Sequence, residues 1–292
     1  MSEVFLPRTK LLDLPRSGGG DLRAFVGWPE EPPPPEGWPV VYLLDGETYF
    51  APMLAAARSL SHRPKTTGVA PALIVGIAPH EDETRDEREF RRCRDFTPPA
   101  PRELLPERPH GRPWGETGAA GRTLDWLEEA VKPLIEAKFP VDRSRQTLFG
   151  HSLGGLCALY AAFRAPERFQ RYAASSPSIW FAERWILKAE AEFPARLRAS
   201  PHPILLSLTV GSLEAEPPEH LRAGTDPYAH WVRKNRMVEN LMEMGRRLAA
   251  LDPEKLQVVQ AVLEGENHPS AAFAALSRAL RAALRPERAL TS

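Results

Sequence analysis

With 292 residues, 42% of them apolar, the chain is long enough to bury a large core. Its 38 basic residues balance its 38 acidic ones, which argues against the bulk electrostatics of a nucleic-acid or membrane-surface protein. Two cysteines, Cys93 and Cys157, make no disulfide framework; both read as structural thiols, although Cys93 stands among arginines. Met1 to Gly20 holds no continuous apolar run of signal-peptide or membrane length, so a cytoplasmic protein is expected.

In chain order, residues 1–39 read as N-terminal strands followed by the proline-rich loop "EEPPPPEGWP". The run 40–44 is apolar and β-branched and stops at Asp45-Gly46, the pattern of a buried strand and a turn. Residues 51–60 are predicted helical and 71–78 a second buried strand. Polar, irregular sequence fills 79–121, an insertion of the length that lids and binding segments use. Residues 122–137 place Leu124, Leu127, Val131 and Leu134 on one helical face, with a kink at Pro133. Strand 146–150, helix 154–169 and strands 171–177 and 203–211 follow. Then come helix 229–250, strand 256–265 and an amphipathic helix marked by Phe273, Leu276 and Leu280. Strands that alternate with helices and are apolar throughout predict an α/β fold: a mostly parallel sheet with helices on both faces. The whole chain is read as one domain, 1–292, with 79–121 inserted. Ligands of such sheets bind at the carboxyl ends of the strands.

Gly150-His151-Ser152-Leu153-Gly154 fits G-x-S-x-G where a strand is predicted to end and a helix to begin. Glycines relieve crowding around a strained serine, whose hydroxyl then stands above the sheet with the Leu153 amide aimed at the substrate oxygen. A serine needs a base. His202 precedes its strand, His230 begins a surface helix and His220 lies in an acidic loop. His268 follows the last strand, where a base must sit to face Ser152. The acid should follow strand 203–211, and Glu214 is nearest. Glu216, Asp226 and a dyad without an acid remain open. The loop after strand 40–44 is expected to supply the second oxyanion donor, the Glu47 amide, with Asp45 bracing the turn. Gly46, which allows close backbone approach, and His151, beside the nucleophile, are expected to border the substrate.

"VVYLLDGETYF", "RRCRDFTPP", "GAAGRTLDWLEEAVKPLI", "LFGHSLGGL", "SSPSIWF" and "GENHPS" occur in an order that resembles the putative-esterase branch of the α/β-hydrolases. The resemblance is strongest to enterochelin-esterase-like siderophore hydrolases and spans roughly Val40 to Leu284. It implies an α/β-hydrolase fold and hydrolysis of the trilactone esters of a catecholate siderophore such as ferric enterobactin. It also implies Ser152 as nucleophile, His268 as base and the Leu153 and Glu47 amides as oxyanion hole. Arg92 would face the anionic iron–catecholate and Trp180 would line the pocket. Charge and cation–π contact suit that pairing. Arg85 and Arg88 read instead as part of a solvated helix laced with Glu–Arg pairs. His110 and Trp114, in the insertion, are further candidate contacts. The same elbow also serves carboxylesterases, thioesterases and acyltransferases of other small acyl esters. The expected partner is a small-molecule ester. No metal-ligand spacing appears, no cofactor is expected, and iron would arrive with the substrate. Oligomeric state is not legible.

Overall fold

Val40, Val41, Tyr42 and Leu43 are all buried. Successive strand residues point to opposite faces, so this run demands cover on both. The computed structural model, which describes residues 6–14, 22–222 and 226–285, supplies it. Eight strands form one sheet: β1 Thr9–Leu14, β2 Leu22–Gly27, β3 Trp38–Leu43, β4 Leu73–Pro79, β5 Val141–His151, β6 Arg171–Ser175, β7 Ile204–Gly211 and β8 Leu256–Leu263. Their order is β1-β2-β4-β3-β5-β6-β7-β8. The β1–β2 and β2–β4 pairs are antiparallel and the others parallel.

On one face Val40, Tyr42, Leu148 and Leu206 pack with Leu156, Phe163, Phe193 and Leu241 from helices Leu153–Arg164, Ile186–Ala199 and Met237–Ala249. On the other, Val41, Leu43, Phe149 and Ala173 pack with Phe50, Met53, Leu276 and Leu280 from helices Gly46–Ser61 and His268–Leu284. The predicted α/β architecture is therefore present, and its parallel strands send the residues after β3, β5, β7 and β8 to one edge.

Three expectations need correction. The segment 79–121 is not irregular throughout. Thr84 and Glu87 form a capping box that starts a helix, Arg85–Phe96. Thr97 Oγ donates to Cys93 O at 2.7 Å and accepts from Gly118 N–H at 2.8 Å, which ties the end of that helix to the end of the segment. Helix 229–250 is two helices, Pro227–Asn235 and Met237–Ala249, separated by Arg236 at φ 45°. Helix Ile186–Ala199 occupies a stretch to which no element was assigned. Where a kink was expected at Pro133, the chain takes a π turn over Leu127–Val131, with Lys132 N–H bonded to Leu127 O. Cys93 and Cys157 are buried, as structural thiols should be, and burial pushes the Cys93 thiol up. Among the described residues no helix is long and apolar enough to cross a membrane.

Gly46 begins its helix against the backbone of β4. A Cβ there would lie 2.4 Å from the Gly76 carbonyl carbon, and backbone cannot move aside cheaply. Gly46→Ala is expected to destabilise by about 2 kcal/mol, the cost of overpacking a close contact. Thermal melting checks this: a drop of roughly 4 °C or more is the prediction, and an unchanged Tm contradicts it.

Candidate active site

Ser152 ends β5 at φ 59°, ψ −119°, a conformation that non-glycine residues rarely adopt. Its N–H donates to Ser175 O at 3.0 Å and its carbonyl accepts from Leu156 N–H at 2.9 Å, so strand and helix hold it from both sides. The turn closes only because a Cβ on Gly150, which would lie 2.1 Å from Gly154 O, is missing. The hydroxyl is thereby presented to a cleft of about 770 Å³ at the carboxyl edge of the sheet.

His268 opens the last helix behind its cap, Asn267. Its Nε2 lies 3.0 Å from Ser152 Oγ and its Nδ1 2.6 Å from Glu214 Oε2. A carboxylate only accepts, so Nδ1 carries the proton and Nε2 is free to accept from the serine. Glu214, on the 3-10 turn Ser212–Glu214 after β7, is buried. Its Oε1 accepts from Gly211 N–H at 2.8 Å and Ser176 Oγ at 2.6 Å. Sequence positions 152, 214 and 268 thus converge, and the arrangement can move a proton from a hydroxyl to an imidazole steadied by a carboxylate. The other candidates meet other groups or stand exposed, although Glu216 lines the same cleft. Glu216 lies 3.8 Å from Arg233, and Asp226 caps Tyr228 N–H at 2.7 Å. His202 contacts Gln170 and the Glu167 carbonyl, and His220 and His230 are exposed.

Leu153 is the first residue of its helix and Glu47 the second of Gly46–Ser61, so neither amide has an intrahelical acceptor. Both residues line the cleft. The Glu47 side chain lies 3.6 Å from Arg88; burial first, then the charge of Asp45, push its carboxyl up. Asp45, at φ 56°, does brace the turn: its carbonyl accepts from Thr48 and Tyr49 N–H.

Arg92 lines the cleft, but its guanidinium is bound two-pronged by buried Asp45 at 2.7 and 3.0 Å. Its Nε and one terminal nitrogen are thereby engaged by the turn carboxylate, which would otherwise be buried without a counter-charge. Arg88 lies near Glu47 and Glu83, and Arg108 pairs with Glu89, so these cleft arginines are largely neutralised. The expectation for Gly46 is corrected; it is buried against Gly76 and is not among the residues lining the cleft. His151 lines the cleft although it is mostly buried, with Nδ1 3.1 Å from Ser175 Oγ and its ring 4.7 Å from that of His268.

Trp180 lines the cleft as expected, within an aromatic wall. Its ring is 6.2 Å from Trp114, over which Arg108 stacks at 4.9 Å, and 4.7 Å from Trp231. The His110 side chain lies outside the described residues. Sequence reasoning missed Trp231 and Tyr228, which stand three apart on one helix and line the same cleft. It also missed three hydroxyls of "SSPS". Ser175 reaches His151, Ser176 reaches Glu214, and Ser178 Oγ lies 3.4 Å from Ser152 Oγ. The signal was a serine cluster at a strand's carboxyl end.

Comparison with known proteins identifies the family of the chain. A family described as "Putative esterase" matches residues 17–236. The ferri-bacillibactin esterase BesA of Bacillus subtilis is 41% identical over 263 residues, covering 90% of this chain and 84% of its own. A siderophore enterobactin esterase of Emericella nidulans is 38% identical over 222 residues, covering 72% and 70%. The crystal structure of a BES protein from Bacillus cereus superposes with a TM-score of 0.84 at 34% identity, covering 97% of this chain and 98% of that one.

The buried His151 carries a pH dependence. Burial first, then the neighbouring His268 and Arg92, push its imidazole well below the usual 6.5. Unfolded chain therefore takes up a proton below about pH 6.5 that the folded protein refuses. This contribution to stability is complete above that pH and declines as the pH falls, by at most about 1.4 kcal/mol per pH unit. His151→Gln should flatten the acid side of a plot of Tm against pH relative to the parent. Parallel curves would contradict a neutral, buried imidazole.

Proposed function

The chain belongs to the esterase family of α/β-hydrolases and is a carboxylic ester hydrolase, and from that premise we propose that it cleaves the ester bonds of a siderophore. The substrate class is a catecholate trilactone such as ferric enterobactin. The observation that carries the reading is the relay in the cleft: Ser152 Oγ 3.0 Å from His268 Nε2, and His268 Nδ1 2.6 Å from Glu214 Oε2.

In this reading Ser152 Oγ attacks a lactone carbonyl as His268 Nε2 takes its proton. The oxyanion that forms is received by the Leu153 and Glu47 amides at two helix N-termini, which together contribute several kcal/mol to the transition state. Glu214 holds the imidazole in the tautomer that can accept and then stabilises the imidazolium. The proton passes from Nε2 to the departing alkoxide, leaving an ester on Ser152. A water then loses its proton to Nε2 and attacks that ester, and the proton returns to Ser152 Oγ as the acid product leaves.

The walls of the cleft suit flat, anionic rings. Trp114, Trp180 and Trp231 offer faces and edges, while Arg88, Arg92 and Arg108 offer guanidinium groups already paired with carboxylates. Pairing tempers the positive field, so the aromatic faces carry much of the expected binding and the arginines orient it. The resemblance to the bacillibactin and enterobactin esterases supports the substrate class.

Chromatography of products from ferric and iron-free catecholate trilactones tests this. The parent protein should open the ring to a linear ester and then cleave it to monomeric hydroxy acids. Ser152→Ala should lose on the order of a thousandfold or more in kcat while still binding the iron complex. A Ser152→Ala protein at full rate would overturn the mechanism. Rapid turnover of p-nitrophenyl acetate with catecholate lactones untouched would overturn the substrate class.

A further inference from the structure

The carboxylate of Glu214 has two oxygens and two tasks. Oε2 accepts from His268, and Oε1 is gripped by Gly211 N–H and by the Ser176 hydroxyl at 2.6 Å. Ser176 is completely buried, and its backbone is pinned by a 2.7 Å bond from its N–H to Thr209 O. Its φ is 41°, in the left-handed region where a Cβ is crowded and glycine is at ease. A serine therefore stands where glycine would be less strained, and its hydroxyl donates to the acid behind the imidazole. Strain retained beside an active site is a mark of a positioning task.

We propose that Ser176 is a positioning residue for the hydrolysis, locking the Glu214 carboxylate so that Oε2 faces His268 Nδ1. With one donor lost, the carboxylate can turn about its last torsion, and the imidazole loses the partner that keeps its Nε2 lone pair on Ser152. Ser175 and Ser178 reach other groups of the same site, so the turn after β6 carries one hydroxyl for each of His151, Glu214 and Ser152. The inference rests on the reading of Ser152, His268 and Glu214 as the hydrolytic machinery.

Ser176→Gly in the full chain separates strain from function. The variant relieves the left-handed backbone, so its Tm should stay within a few degrees of the parent's. Its kcat should nevertheless fall about tenfold with KM unchanged, the effect of losing one charge-assisted hydrogen bond to a catalytic carboxylate. In a Glu214→Gln background the same change should add less than about twofold, because it acts through that carboxylate. Parental kcat in Ser176→Gly, or a full tenfold loss added on top of Glu214→Gln, would overturn the proposal. If the glycine variant melts early, Ser176→Ala replaces it in the same comparison, with the same expected loss. Ser152→Ala, assayed alongside, keeps the two readings apart. Activity surviving in Ser152→Ala defeats the proposed function, whereas an inactive Ser152→Ala beside a fully active Ser176→Gly defeats only this inference.

Discussion

The whole site hangs on one backbone conformation. Ser152 sits at φ 59°, ψ −119° because β5 must hand over to a helix within one residue while pointing a hydroxyl away from the sheet. Glycines make this turn possible by absence: Cβ atoms on Gly150 and Gly155 would come within 2.1 Å of Gly154 O and 2.8 Å of Ser175 O. Three backbone bonds then lock it, two of them from Leu156 N–H and Ser178 N–H to the serine carbonyl. Move that backbone, and neither the imidazole nor the adjacent amides meet the hydroxyl.

Parallel pairing supplies the remaining parts without local design. Because β3, β5, β7 and β8 run the same way, Asp45, Ser152, Glu214 and His268 arrive at one edge from widely separated positions. Asp45, Glu214 and His151 are each matched there. Asp45 meets Arg92, Glu214 meets Ser176 and Gly211, and His151 meets Ser175. A charged residue left buried and unpartnered would cost several kcal/mol, so the carboxylates explain why so many arginines converge here. The chain's charge balance is nearly repeated at the cleft, which four arginines, five carboxylates and three tryptophans line.

Much of this was legible in the residues. Apolar runs ended by turn signals located the six strands β3 to β8, and burial on both faces explains that composition in the inner ones, though not in the edge strand β8. G-x-S-x-G pointed to Ser152, and position after the last strand singled out His268. Glu214 was legible only as the nearest acid after β7, because choosing it over Glu216 depends on which side chain the 3-10 turn points inward. What sequence could not reveal was pairing between distant segments. The Arg92–Asp45 pair was not legible, because its members lie 47 positions apart. Gly46 looked like a ligand-contact glycine because its neighbour Gly76 belongs to another strand. The helix Arg85–Phe96 was legible only as alternating charge around Arg85 and Arg88, although its Thr84–Glu87 capping box was there to be read. The break at Arg236 had no glycine or proline to announce it.

A fluorophosphonate probe reports the central claim directly, because it reacts only with a hydroxyl that has a working base beside it. Mass mapping of the treated protein should find a single phosphonyl adduct, on the peptide that carries Ser152. No adduct, or one on Ser176 or Ser178 with Ser152 unmodified, would contradict the account.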